Sequence, residues 1–208
     1  MRSVPSLDVR LCFFGDSFTA GVGDEARLGW VGRVCARTGQ SGHEVTAYNL
    51  GVRRETSLEV VDRLRREAAP RLREGARRGV VLAVGVNDTT EEDGRRRVEV
   101  DETLGALRAF TSAASSQSWE VLVIGPPFVG DPIQNQRIRA LSKVMRGECD
   151  LLDVPFVDLA TSLGTGEAWE RRVNAVDGAH PDGTGYQQLA DTIWPVFSAW
   201  LRRSESSG

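Results

Sequence analysis

A chain of 208 residues with 29 acidic and 26 basic side chains carries a formal charge of −3; 40% of it is hydrophobic and 26% charged. That make-up belongs to an ordinary soluble globular protein long enough to bury a full core, and it excludes collagen-like, coiled-coil and disordered chains. No basic stripe stands clear of acidic neighbours, which excludes the electrostatic footprint of a nucleic-acid binder.

The first apolar run, Val9 to Phe14, reads as a strand and is followed at once by Gly15-Asp16-Ser17-Phe18. Arg10 interrupts the run, so it is no signal-peptide core; no stretch approaches a membrane span, and cytoplasm is the expected compartment. A helix is expected over about 29–39, then a strand from Glu44 to Asn49 leading into Leu50-Gly51. His43, just before it among polar residues, is expected on the surface. Over about 57–75, Val61, Leu64, Ala68 and Leu72 fall on one helical face, with Pro70 expected to kink or divide the helix. The run Gly79 to Val84 is near-continuously apolar, as a strand buried on both faces should be, and opens into Gly85-Val86-Asn87-Asp88. A helix over about 96–116 carries Leu104, Leu107 and Phe110 on one face. Glu120 to Ile124 is a further buried strand, followed by Gly125-Pro126-Pro127-Phe128. After a helix over about 133–149 comes the strand Pro155 to Asp158. The loop Asp177-Gly178-Ala179-His180-Pro181 precedes a last helix over about 184–203, whose apolar face holds Leu189, Ile193, Val196 and Trp200.

Five rounds of strand and helix predict an α/β fold with a parallel sheet between helical layers. One domain is expected over 1–208, with a core of about 8–203 and a flexible tail at 204–208. Cys12, Cys35 and Cys149 are far apart and form no CxxC pair, so buried inert thiols are expected. The arginines of 63–78 and 95–97 read as solvated surface, and Glu91-Glu92-Asp93 as a solvated acidic turn, not a metal-ligand set. No metal is expected.

In a parallel sheet of this kind the ligand sits beyond the carboxyl ends of the strands, so the residues after each strand carry the functional reading. A serine hydroxyl attacks an acyl group only if an imidazole takes its proton, and a carboxylate on the other ring nitrogen fixes the tautomer. Ser17, His180 and Asp177 are the right groups for this, the last two separated by a single turn. The oxyanion needs donors, expected from the backbone N–H groups of Ser17 and Gly51 and the side-chain amide of Asn87, each worth roughly 3–4 kcal/mol of barrier. Phe18, Trp30, Phe128 and Trp169 are candidate apolar walls for substrate.

Gly15-Asp16-Ser17-Phe18, Gly51, Gly85-Val86-Asn87-Asp88 and Asp177-Gly178-Ala179-His180 resemble, in order, the four blocks of the SGNH hydrolase superfamily, also called GDSL lipases and esterases. The resemblance runs from residue 11 to about 190. It implies a flavodoxin-like three-layer fold with a five-stranded parallel sheet. It also implies esterase activity on a small-molecule acyl ester, with a tendency to short acyl chains, and no cofactor. Phe18 replaces the leucine of the motif, a change expected to alter pocket shape only; Asp88 has no evident role beyond holding its loop. The alternatives are an acyltransferase using the same acyl-enzyme and a non-catalytic acyl- or carbohydrate-binding module on this fold. No Gly-x-Ser-x-Gly elbow surrounds Ser17, and no GxGxxG or GxxxxGK[ST] occurs, which disfavours an α/β-hydrolase and a nucleotide binder.

Overall fold

In the computed structural model, β1 (Leu7–Gly15) is buried almost continuously from Val9 onward, as a central strand covered on both faces must be. Val9, Leu11 and Phe13 point into one apolar cluster and Cys12 and Phe14 into another on the opposite face. The residues described are 7–39, 43–163 and 167–203, so the tail expected at 204–208 lies outside them, as does the side chain of His43. β1 pairs in parallel with β2 (His43–Gly51) on one side and with β3 (Arg77–Ala83) on the other. β3 pairs with β6 (Glu120–Ile124), and β6 with the short β7 (Phe156–Val157). The sheet order is therefore β2-β1-β3-β6-β7. The chain reverses its winding direction between β1 and β3, which opens a crevice at their carboxyl ends, as in flavodoxin-like sheets.

Helices α2 (Gly29–Thr38) and α8 (Gly183–Arg202) cover one face. On the other lie α3 (Ser57–Arg71), α4 (Val100–Ser115) and α5 (Pro132–Leu151). This is the expected three-layer α/β/α sandwich. α3 opens on a capping box, Thr56 with Glu59, and runs through Pro70 to end one residue later, so the proline closes the helix without kinking its middle. Residues 91–92 and 95–96 pair as a small hairpin, β4 and β5, so α4 starts at Val100 and not near 96. Three short helices escaped the sequence reading: α1 (Ser17–Ala20), α6 (Leu159–Ser162) and α7 (Glu167–Asn174). Their four to eight residues show too little periodicity to read.

Two expectations about polar and sulfur side chains are corrected. Arg63 and Arg77 are buried, at 5% and 4% exposure, and not solvated surface. Arg77 closes the far end of the sheet onto Glu120 and the carbonyls of Trp200 and Leu201, while Arg63 sits under the functional end. Cys12 and Cys149 are buried as expected, whereas Cys35 is partly exposed on α2; burial raises all three thiols to about 12. Glu91 and Glu92 lie on an exposed hairpin, in keeping with a solvated acidic turn.

Candidate active site

Ser17 begins α1 directly past the end of β1. Asp16 caps this turn, its Oδ1 accepting from the Phe18 N–H at 2.9 Å, and the left-handed Gly21 ends it. His180 comes from the loop before α8. Its Nε2 is 2.7 Å from Ser17 Oγ and its Nδ1 2.7 Å from Asp177 Oδ2. Asp177 Oδ1 accepts the backbone N–H groups of Ala179 and His180 at 2.9 and 2.8 Å. Burial works against charge on Asp177, but these N–H groups and the imidazole outweigh it and hold the carboxyl below the usual range. The three side chains expected to act together are therefore in one relay, although 163 residues separate serine from histidine.

Close backbone packing sets the histidine loop. Gly23 has φ of 92°, and a Cβ there would lie 2.8 Å from the Pro181 carbonyl and 3.2 Å from His180 Cβ. The segment around Gly21 and Gly23 is well tied. Asp24 accepts from the N–H groups of Ala26, Leu28 and Gly29 and pairs with Arg33, while the Tyr186 hydroxyl donates to the Val22 carbonyl at 2.7 Å.

Asn87 lies past β3 on the same rim as Ser17. Its Nδ2 donates to Asp16 Oδ2 at 3.1 Å and to the Glu55 carbonyl at 3.0 Å, linking three segments. Asp88 holds this loop from behind, accepting from the Ser57 N–H at 2.9 Å and the Thr103 hydroxyl at 2.8 Å. Beneath them, the Arg63 guanidinium donates to the Leu50 carbonyl at 2.7 Å and meets Glu55 and Glu67 at 2.6 and 3.1 Å. Asp16 is fully enclosed. Desolvation first, then the nearby Asp88 and Glu55 carboxylates, raise it from 3.8 to about 7 despite the Phe18 N–H.

Gly51 does not join the site as expected. Its N–H donates to Asn49 Oδ1 at 3.0 Å, and a Cβ there would collide with the Ala20 backbone and come 2.8 Å from the Asp16 carbonyl. With Asn49 Nδ2 donating to the Thr19 carbonyl at 2.7 Å, the end of β2 clamps α1 from behind. The residues of this segment that line the cleft are Arg53 and Arg54. Arg54 has φ of 67°, strained for a non-glycine residue, and its N–H, like that of Ser17, makes no hydrogen bond among the described residues.

The open cleft over Ser17 has a volume of about 270 Å³ and is lined by Phe18, Val86, Asn87, Val129, Gln134 and His180 along with three arginines. Of the four aromatic walls expected, only Phe18 lines it, with its ring centroid 5.2 Å from that of His180. Trp30, Phe128 and Trp169 are core residues. Trp30 packs edge-on against Phe13 at 5.7 Å, and Trp169 Nε1 donates to the Phe128 carbonyl at 2.9 Å. Large rings near strand ends fill space between layers as readily as they line a pocket. Trp30 does border a second space beside Asp16 and Phe18, but that space measures only about 20 Å³.

No group of three His, Cys, Asp or Glu side chains that could hold a metal ion occurs among the described residues. None of the described helices is long and apolar enough to cross a membrane.

Comparison with known proteins places the chain in a family. The chain is 25% identical over 197 residues to Esterase TesA of Pseudomonas aeruginosa, covering 92% of this chain and 89% of that protein. Its fold matches the lipase/acylhydrolase from Enterococcus faecalis with a TM-score of 0.75 at 26% identity, over 93% of this chain and 96% of the other. It also matches a catalytic mutant of Axe2, an acetylxylan esterase from Geobacillus stearothermophilus, with a TM-score of 0.71 at 17% identity over 93% and 95% of the two chains. The GDSL-like Lipase/Acylhydrolase family model covers residues 13–188, so the chain belongs to that family and is a carboxylic ester hydrolase.

Proposed function

We propose that the protein cleaves short-chain acyl esters through an acyl-enzyme on Ser17. The observation that carries the reading is the unbroken relay of Asp177, His180 and Ser17, with both contacts at 2.7 Å. His180 Nε2 accepts the Ser17 hydroxyl proton as Oγ attacks the ester carbon, then gives it to the departing alcohol. A water follows the same route in reverse and releases the acid. Asp177 keeps the proton of the neutral ring on Nδ1 and steadies the imidazolium that forms between the two steps.

The developing oxyanion is received by the Ser17 N–H, the Asn87 amide and, in place of Gly51, the Arg54 N–H. Both Asn87 amide hydrogens already have acceptors in the resting site. A full negative charge competes well with the neutral Glu55 carbonyl, so one of them exchanges as the charge appears. The preference for short acyl chains rests on volume. The cleft over Ser17 measures about 270 Å³, and the space lined by Phe18 and Trp30 only about 20 Å³, too little for an alkyl tail.

Ser17→Ala tests the reading. Turnover of 4-nitrophenyl acetate should fall by about 10³-fold or more, and a fluorophosphonate probe should label residue 17 in the wild type only. Labelling elsewhere, or turnover kept by the variant, overturns the assignment.

A further inference from the structure

The cleft over Ser17 is lined by Arg53, Arg54 and Arg97 and, among the described residues, by no carboxylate side chain, a local reversal of sign in a chain of net charge −3. The three cations differ in what holds them. Arg97 is anchored, its Nη1 donating to the Arg54 carbonyl at 2.8 Å, with Glu92 and Glu59 carboxylate oxygens at 3.7 and 3.8 Å. Arg54 pairs with the same Glu92 at 3.1 Å. Arg53 is exposed and makes no ion pair or hydrogen bond among the described residues. The left-handed backbone at Arg54 lets two consecutive arginines both border the cleft. Two carboxylates, Glu92 and Glu59, face Arg54 and Arg97, and the third guanidinium, Arg53, has none, which leaves uncompensated positive charge within reach of whatever ester sits on Ser17.

We infer that the preferred ester carries an anionic group, carboxylate or phosphate, on its acyl or its alcohol portion, and that Arg53 receives this group. The inference rests on the esterase reading above and narrows its substrate class. A guanidinium offers a planar fork of donors that matches either anion in two-point contact. The cleft adds one apolar ring, Phe18, beside His180 for the neutral part of the ester.

Two matched pairs of esters test it with the whole protein. Mono-4-nitrophenyl adipate against 4-nitrophenyl hexanoate places the charge on the acyl side. Acetoxybenzoate against its methyl ester, both with the acetoxy group at position 4, places it on the alcohol side. In at least one pair the anionic member should have the higher kcat/KM by about five- to tenfold, mostly through KM, and added salt should shrink the gap. Arg53→Gln should bring that ratio near one and Arg53→Glu should invert it. The control Arg65→Gln, a remote exposed arginine on α3 bonded to Ser116, should keep it. Neutral members turned over as well as or better than anionic ones in both pairs would overturn the inference alone, as would a ratio untouched by Arg53→Gln. Failure to turn over any of the four esters would instead remove the esterase reading and this inference with it.

Discussion

Ser17 and Asn87 stand at the carboxyl ends of β1 and β3, central strands packed on both faces, and a buried polar net joins them. Asp16, Asp88, Arg63 and Glu55 fill that net with hydrogen bonds reaching α3 and α4. Asp177 and His180 come instead from a loop. There the carboxylate is 42% exposed and is oriented by backbone groups two and three residues away, with one longer-range backbone bond from Gly130 to Gly178 at 2.8 Å. The serine side is thus fixed by tertiary burial, the histidine side by a local turn. Substitutions on the first side should lower stability together with activity, whereas on the second they should lower activity alone.

The largest expected effect falls on the loop. Asp177→Asn keeps an oxygen for the two backbone N–H groups but presents an amide to Nδ1, which favours the wrong imidazole tautomer. We expect kcat to fall by about 10³–10⁴-fold, as such a change does in other serine hydrolases, with Tm within about 2 °C of wild type. A large loss of Tm would mean that the loop is as deeply tied to the fold as the strand ends are.

On the buried side the leading effect is on stability. Arg63→Met leaves Glu55 and Glu67 without their cation and the Leu50 carbonyl without its donor. The expected cost is about 3 kcal/mol, or roughly 6–12 °C in Tm for a chain of this size. Arg54→Met breaks a pair in which the arginine is 77% exposed and the glutamate 54%, and should cost less than about 0.5 kcal/mol. Thermal melts of the two variants decide the matter; equal losses would remove the distinction between buried net and solvated rim.

Parts of this arrangement were legible in the sequence because residue type alone carries the chemistry. A serine just past a buried strand, an asparagine in the glycine loop after another, and a histidine three residues beyond an aspartate in a glycine- and proline-flanked loop came together in the structure as expected. Gly51 did not, because a strand-end glycine serves equally to admit a ligand or to let another backbone press close, and only the contact with Ala20 distinguishes the two. The role proposed for the Arg54 N–H has no signal in the sequence, since a backbone donor leaves no trace in residue type. Arg63 was readable in principle. It lies between Val60 and Leu64 on the buried face of α3, and helical phase would have marked it as an interior cation. The five parallel strands followed from alternation, but their order depends on packing that no run of residues encodes.

An effect below that of Arg63→Met is expected at the centre of the buried side. Asp16 has a carboxyl near 3.8 when unfolded and about 7 when folded, so between those values the native state holds a proton that the unfolded chain has lost. Its contribution favours folding fully below pH 4 and is lost as pH rises through 7. The lowered carboxyls of Asp24, Asp158 and Asp177 act in the opposite sense, adding stability as pH rises, but only in the acid range, and are settled by pH 5. Between pH 5 and 8 the wild type should therefore lose about 1–3 kcal/mol through Asp16, and Asp16→Asn, which has no proton to lose there, should show a flatter curve. Urea unfolding at pH 5, 6.5 and 8 measures the slope for both. Parallel curves would mean that Asp16 stays charged through its bonds to Phe18 and Asn87, and that burial at the strand end costs the carboxylate little.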